Sequence, residues 1–217
     1  MALFSKEETK QRMIEKRAEL RPESADADFN KALVILGSSL YEKKLWNGDD
    51  YGHHPVHVSM TKTDSSTKMI IGLLHDVVED SDWTIQDLRD VGFSERVVNG
   101  VDAMTRREGE AYFSFIARCS LNSDGIDCKI KDLQHNMDMS RGGPVLGQDN
   151  LMRLNKYHVS LSYLIAVKKG DVKAGSSVAD FVAANDNLNN NKIIADIVTK
   201  NSPPPPVPRP RSQFPKI

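Results

Sequence analysis

The chain has 217 residues, 39% of them hydrophobic and 27% charged, with 29 lysines and arginines against 30 aspartates and glutamates. That composition supports a packed globular core, and a net charge of -1 supplies no general basic field for nucleic acid or acidic membranes. No run approaches the roughly 18 apolar residues of a membrane span, the opening Met1-Ala2-Leu3-Phe4-Ser5-Lys6-Glu7-Glu8 lacks a signal-peptide core, and Cys119 and Cys128 have no zinc-site spacing, so the chain reads as cytoplasmic with two reduced thiols.

Helical periodicity recurs along the chain and β-alternation is scarce, which predicts an all-α fold. Residues 1–27 read as a charged N-terminal helical extension, loosely packed over 6–20. A helix over 29–43 is expected to bury Leu33, Val34, Leu36 and Leu40, before a turn at Asn47-Gly48-Asp49-Asp50. His54-Pro55 opens a short helix, because proline suits a first turn. Asp64-Ser65-Ser66 is expected to cap one continuous helix over 67–79, the most apolar of the chain. Thr84-Ile85-Gln86-Asp87 has the form of a capping box, and Ser94 caps a helix reaching Met104. Further helices are expected over 110–121, 125–139 and 149–168. Shorter ones follow over 172–184 and 192–200, separated by an amide-rich run over 185–191. These readings divide the chain into a main domain over 28–170, short C-terminal helices over 171–202 and a proline-rich, disordered tail over 203–217.

The densest chemical signal is Leu73-Leu74-His75-Asp76-Val77-Val78-Glu79-Asp80. On a helix, His75 shares a face with Glu79, and Asp76 with Asp80. Carboxylates brought to an apolar surface, near a helix C-terminus whose dipole opposes them, call for a positive partner. A divalent cation answers that need, since it accepts imidazole nitrogen and carboxylate oxygen together. Two further sets stand apart in sequence. His53, His54 and His57 flank a turn and offer another ligand or ordinary surface imidazoles. Asp132 and Asn136 share a helix face with Lys129 and His135 close by, which fits either a site or a solvated charged face.

Together the three sets resemble the HD superfamily, and within it the hydrolase domain of RelA/SpoT proteins and the small alarmone hydrolases. His54-Pro55, the His75 to Asp80 run, Val101-Asp102-Ala103-Met104-Thr105 and Lys129-Ile130-Lys131-Asp132-Leu133-Gln134-His135-Asn136-Met137 carry the likeness, over roughly residues 28–165. The resemblance implies an HD-type helical bundle with a metal site between helices, and one Mn²⁺ or other divalent transition ion on His54, His75, Asp76 and Asp132. It makes Glu79 and Asp80 the acid/base pair acting on the attacking water. It brings Asn136 to the nucleotide sugar, and implies removal of the 3′-pyrophosphate from (p)ppGpp or (p)ppApp by a metal-activated water.

The chain departs from the family ahead of His54. A Gly-Gln-x-Arg-Lys-type run is replaced by Leu40-Tyr41-Glu42-Lys43-Lys44-Leu45-Trp46, where Lys43 and Lys44 are candidates for phosphate and Tyr41 or Trp46 for base stacking. Arg106 and Lys129 are further candidates for substrate phosphate, with Arg107 and Arg141 nearby in sequence. Two alternatives accompany this reading. One keeps the chemistry with another substrate, as in an HD nucleotidase or NADPH phosphatase. The other is a non-catalytic nucleotide-sensing adaptor that recruits an SH3-like partner through Pro203-Pro204-Pro205-Pro206-Val207-Pro208-Arg209-Pro210-Arg211.

Overall fold

The computed structural model describes residues 5–17, 25–40, 43, 50–60, 65–139, 147–189 and 191–202. Tyr41, Lys44, Trp46, most of the 47–50 turn, Asp64, Arg141 and the proline-rich 203–217 lie outside them. The described residues form thirteen helices and no strand, an all-α bundle in agreement with the sequence periodicity. No helix among them is long and apolar enough to cross a membrane.

The first helix, α1 (Lys6–Arg17), is more firmly seated than its composition implies. Lys6 lies 2.8 Å from Asp87 and donates to the carbonyl of Asp82 at 2.6 Å. Lys10 pairs with both Asp87 and Asp90, and Thr9 is buried beneath them. The expected loose packing is therefore corrected, because two lysines one turn apart meet carboxylates far along the chain. The second helix, α2 (Ala25–Ser39), buries Ala32, Ile35 and Leu36, with Leu40 buried just past its end, whereas Leu33 and Val34 are exposed. The apolar stripe follows the three-and-four spacing from Ala32, which turns the adjacent pair outward.

A short α3 (His53–Ser59) crosses α4 (Ser66–Leu74) closely. Gly72 makes the crossing possible: a Cβ there would fall 2.8 Å from the backbone of Ser59. The expected continuous helix over 67–79 is broken. It stops at Leu74, turns at His75 and Asp76, and resumes as α5 (Val77–Asp80). In an unbroken helix the Gly72 carbonyl would accept the Asp76 N–H, but here it receives Nδ1 of His75 at 2.7 Å. Ser65 begins α4 without a side-chain cap.

Next come α6 (Ile85–Asp90), opened by the expected Thr84–Asp87 capping box, and α7 (Glu95–Met104), where Ser94 accepts the Val97 N–H. Then follow α8 (Tyr112–Cys119) and α9 (Ser123–Asn136), the latter capped by Asn122. The longest helix, α10 (Gln148–Lys169), ends at Gly170, whose φ of 84° is the left-handed conformation that closes a helix at low steric cost. The C-terminal part holds α11 (Val178–Ala183), α12 (Asp186–Asn189) within the amide-rich run, and α13 (Lys192–Asn201).

Two apolar clusters hold the bundle together. One gathers α2, α4 and α7 with Trp83, Leu88 and Phe93. The other gathers α8, α10, α11 and α13 around Tyr163, Ile116 and Leu164. Helix α9 belongs to both, sending Cys128 into the first and Ile126 and Leu133 into the second. Both cysteines are buried and unbridged. Burial pushes each thiol up to about 12, which suits packing rather than reactivity.

Candidate metal centre

Helices α3 and α9 and the break after α4 deliver potential ligand atoms to one point. His54 comes from the first turn of α3, His75 from the break after α4 and Asp132 from α9. All three are at most 3% exposed, and their ligand atoms lie within 4.8 Å of one another. The Nε2 atoms of His54 and His75 are 3.2 Å apart, and Asp132 Oδ1 sits 3.1 and 3.7 Å from them. Asp76 Oδ2 faces the same pair at 3.6 and 3.1 Å. An ion with bonds of about 2.1 Å to four tetrahedral donors separates them by roughly 3.4 Å, so these spacings fit a transition ion. The donor chemistry fits as well, with two imidazoles and two carboxylates. Mutual repulsion of the buried oxygens gives the cluster a further reason to take a cation.

Supporting contacts orient each donor. The bond from His75 Nδ1 to the Gly72 carbonyl leaves Nε2 toward the cluster. Asp132 Oδ2, the oxygen turned away, takes the Lys129 ammonium at 2.7 Å, while Asn136 donates to Oδ1 at 2.6 Å. Tyr51 donates to Asp76 Oδ2 and lies 3.3 Å from Asp80 Oδ2. Burial by itself would lower the His75 imidazole, but the charges of Asp76 and Asp132 hold it up at about 10. Burial opposes ionisation of Asp76, yet the His75 charge brings it down to about 2. Burial works likewise against Asp132, and Lys129 with the two histidines holds it well below the usual carboxylate range. Lys129 is raised by that carboxylate despite its own burial.

Glu79 and Asp80 stand at the outer edge, both exposed in part. Burial raises the Glu79 carboxyl, whose Oε1 accepts the backbone N–H of Arg106. The loop that brings this N–H is pinned by Arg118, which donates to the carbonyls of Asp102 and Thr105 at 3.0 and 2.8 Å and pairs with Glu110 at 2.8 Å. Lys43 pairs with Asp80 and lies 4.2 Å from the Tyr51 ring centre.

Of the residues singled out from sequence, His54, His75, Asp76 and Asp132 converge, with Asn136 and Lys129 directly on Asp132. Lys43 sits against Asp80 and Lys44 is outside the described residues. The Arg106 guanidinium turns to the Glu110 carbonyl at 2.8 Å, and Arg107 lies 3.4 Å from Asp102. His53 is exposed and His57 stacks on His135, so His54 alone of that trio reaches the centre. Sequence reading passed over Tyr51 and three groups on α10: Arg153, Lys156 and Tyr157. Lys156 is half-buried 4.4 Å from the Tyr112 ring centre, and its ammonium is lowered by burial and then by Arg106, Arg153 and Lys129. Tyr157 is raised by burial and by the charge of Asp132. Their spacing on one helical face was the available signal.

No protein-family model matches the chain. Over 97 residues, 43% of its length, it is 30% identical to the GTP pyrophosphokinase rsh of Brucella melitensis biotype 1. The same identity and extent relate it to the GTP pyrophosphokinase rsh of Brucella ovis and of Brucella abortus strain 2308. The matched stretch spans 13% of the length of these relatives. Over that stretch, the similarity supports the relationship to RelA/SpoT proteins drawn from the motifs.

Proposed function

We propose that the protein is an HD-type, metal-dependent phosphohydrolase that removes the 3′-pyrophosphate from alarmone nucleotides of the (p)ppGpp or (p)ppApp class. The observation that carries the reading is the buried convergence of His54, His75 and Asp132, with Asp76 facing the same two nitrogens. The partial similarity to rsh proteins favours a guanosine polyphosphate over an unrelated ester.

His54, His75, Asp76 and Asp132 would hold a divalent transition ion, Mn²⁺ being the choice the motif resemblance favours. Bound there, it would lower the pKa of a water and draw charge from a phosphoryl oxygen. The remaining work belongs to the chain. Asp80, fixed by Lys43 and Tyr51, and Glu79, fixed by the Arg106 N–H, orient the attacking water as an acid/base pair, its proton passing to one of the two carboxylates. Burial raises Glu79, which suits it to return a proton to the departing oxygen. Lys156, Arg153 and Arg106, whose charges act on one another, are the cations assigned to a polyphosphate, and Asn136, which donates to Asp132, is the residue the motif resemblance brings to the nucleotide sugar.

The test is to load purified protein with Mn²⁺ and follow pyrophosphate release from (p)ppGpp and (p)ppApp by chromatography. A parallel incubation with ATP and GTP looks for pyrophosphate transfer. Release from either alarmone supports the proposal. Inactivity on both, or transfer without hydrolysis, overturns it, and turnover confined to NADPH or 5′-monophosphates keeps the chemistry while replacing the substrate.

A further inference from the structure

Behind His54 lies a second imidazole that the hydrolytic scheme does not use. His135, on α9 and 9% exposed, brings its Nδ1 to 2.6 Å from Nδ1 of His54. The two rings lie nearly parallel, 19° apart with centroids at 4.9 Å. The pair therefore meets edge to edge, while a face of the His135 ring stacks on the exposed His57, at 4.1 Å and 22°. It is not a member of the group of convergent ligand atoms, and it sits three residues after Asp132 on the same helix.

A histidine that binds a metal through Nε2 must carry its proton on Nδ1, and that N–H needs an acceptor to fix tautomer and ring orientation. His75 has a backbone carbonyl for this purpose. For His54 the neighbour within hydrogen-bond reach of Nδ1 is the ring nitrogen of His135. We propose that His135 is a positioning residue: its Nδ1 accepts the Nδ1–H of His54, which leaves the His54 Nε2 lone pair directed at the cation. The inference rests on the metal-site reading above and deepens it. It also gives α9 a double part, since one turn of that helix supplies both the ligand Asp132 and the orienting partner of the ligand His54.

Two substitutions separate hydrogen bonding from ring packing. His135→Phe keeps a flat ring for the stack on His57 but removes the acceptor. His135→Asn loses the stack, yet its Oδ1 occupies about the place of Nδ1 and accepts the same hydrogen. Full-length wild type and both variants are titrated with Zn²⁺, a diamagnetic probe ion, by calorimetry. The tautomer of His54 in the loaded protein is read from imidazole ¹⁵N shifts. The expected result is about a 10- to 100-fold weaker Zn²⁺ affinity for His135→Phe, near-wild-type affinity for His135→Asn, and an Nδ1-protonated His54 in wild type. Equal affinity in wild type and His135→Phe, or a weaker His135→Asn than His135→Phe, overturns the positioning role while leaving the metal site standing. A wild type that binds no Zn²⁺ overturns both.

Discussion

The Gly72 carbonyl receives Nδ1 of His75 at 2.7 Å, and this one bond both ends a helix and aims an imidazole. The same glycine admits the backbone of Ser59 where a methyl group would come within 2.8 Å. Gly72→Ala should therefore destabilise the fold by about 1–3 kcal/mol, because backbone rather than a flexible side chain has to yield. It should also weaken metal uptake, since separating α3 from α4 moves His54 away from His75. Chemical denaturation and a metal titration on the same variant check both effects, and unchanged values in both would contradict the crossing argument.

Asp76 and Asp132 face the same nitrogens but should respond differently to removal. Asp132 also neutralises the buried ammonium of Lys129, whereas Asp76 leans on the Tyr51 hydroxyl. Either alanine variant should lose metal and turnover together. In metal-free protein, however, Asp132→Ala should cost about 3–5 kcal/mol of stability by stranding a buried charge, and Asp76→Ala clearly less. Urea midpoints of the two variants in the presence of a chelator provide the comparison.

Glu79 touches a backbone N–H rather than the ligand cluster, so Glu79→Gln preserves shape and leaves the four donors intact. Metal affinity should remain near wild type while kcat falls by about 10²- to 10⁴-fold. A parallel loss of metal would show that Glu79 supports the ligand set instead of the proton transfer.

Acid should release the N-terminal helix. Burial disfavours the charge of Asp87, and Lys10 with Lys6 overcomes it, holding the carboxyl well below the ordinary range. A carboxyl depressed in the folded state contributes stability that is complete above its unfolded value of about 3.9 and is lost as the pH falls through the lower folded value. The melting temperature should thus drop below about pH 4, and Asp87→Asn should lower it at neutral pH while flattening that acid dependence. Thermal scans of both proteins across the acid range measure the difference.

The His75-Asp76 doublet was legible because acids in an apolar run are energetically improbable without a partner, and helix spacing suffices to see them. The capping box at Thr84 was legible for the same local reason. What escaped depended on contacts between distant segments. Nothing near Lys6 and Lys10 announces Asp87, and nothing near His75 shows that its side chain will intercept a carbonyl of its own helix. Tyr51 and the α10 cations acquire meaning only once α3, α9 and α10 are assembled.

Helix α9 supplies side chains to both apolar clusters and holds Asp132 between them. A strut shared in this way ties the two halves together, because parting them would pull Asp132 from the histidines or tear Leu133 and Cys128 from their packing. The partly exposed side chains of Lys43 and Lys156, at the edge of the packed interior, carry no such double tie.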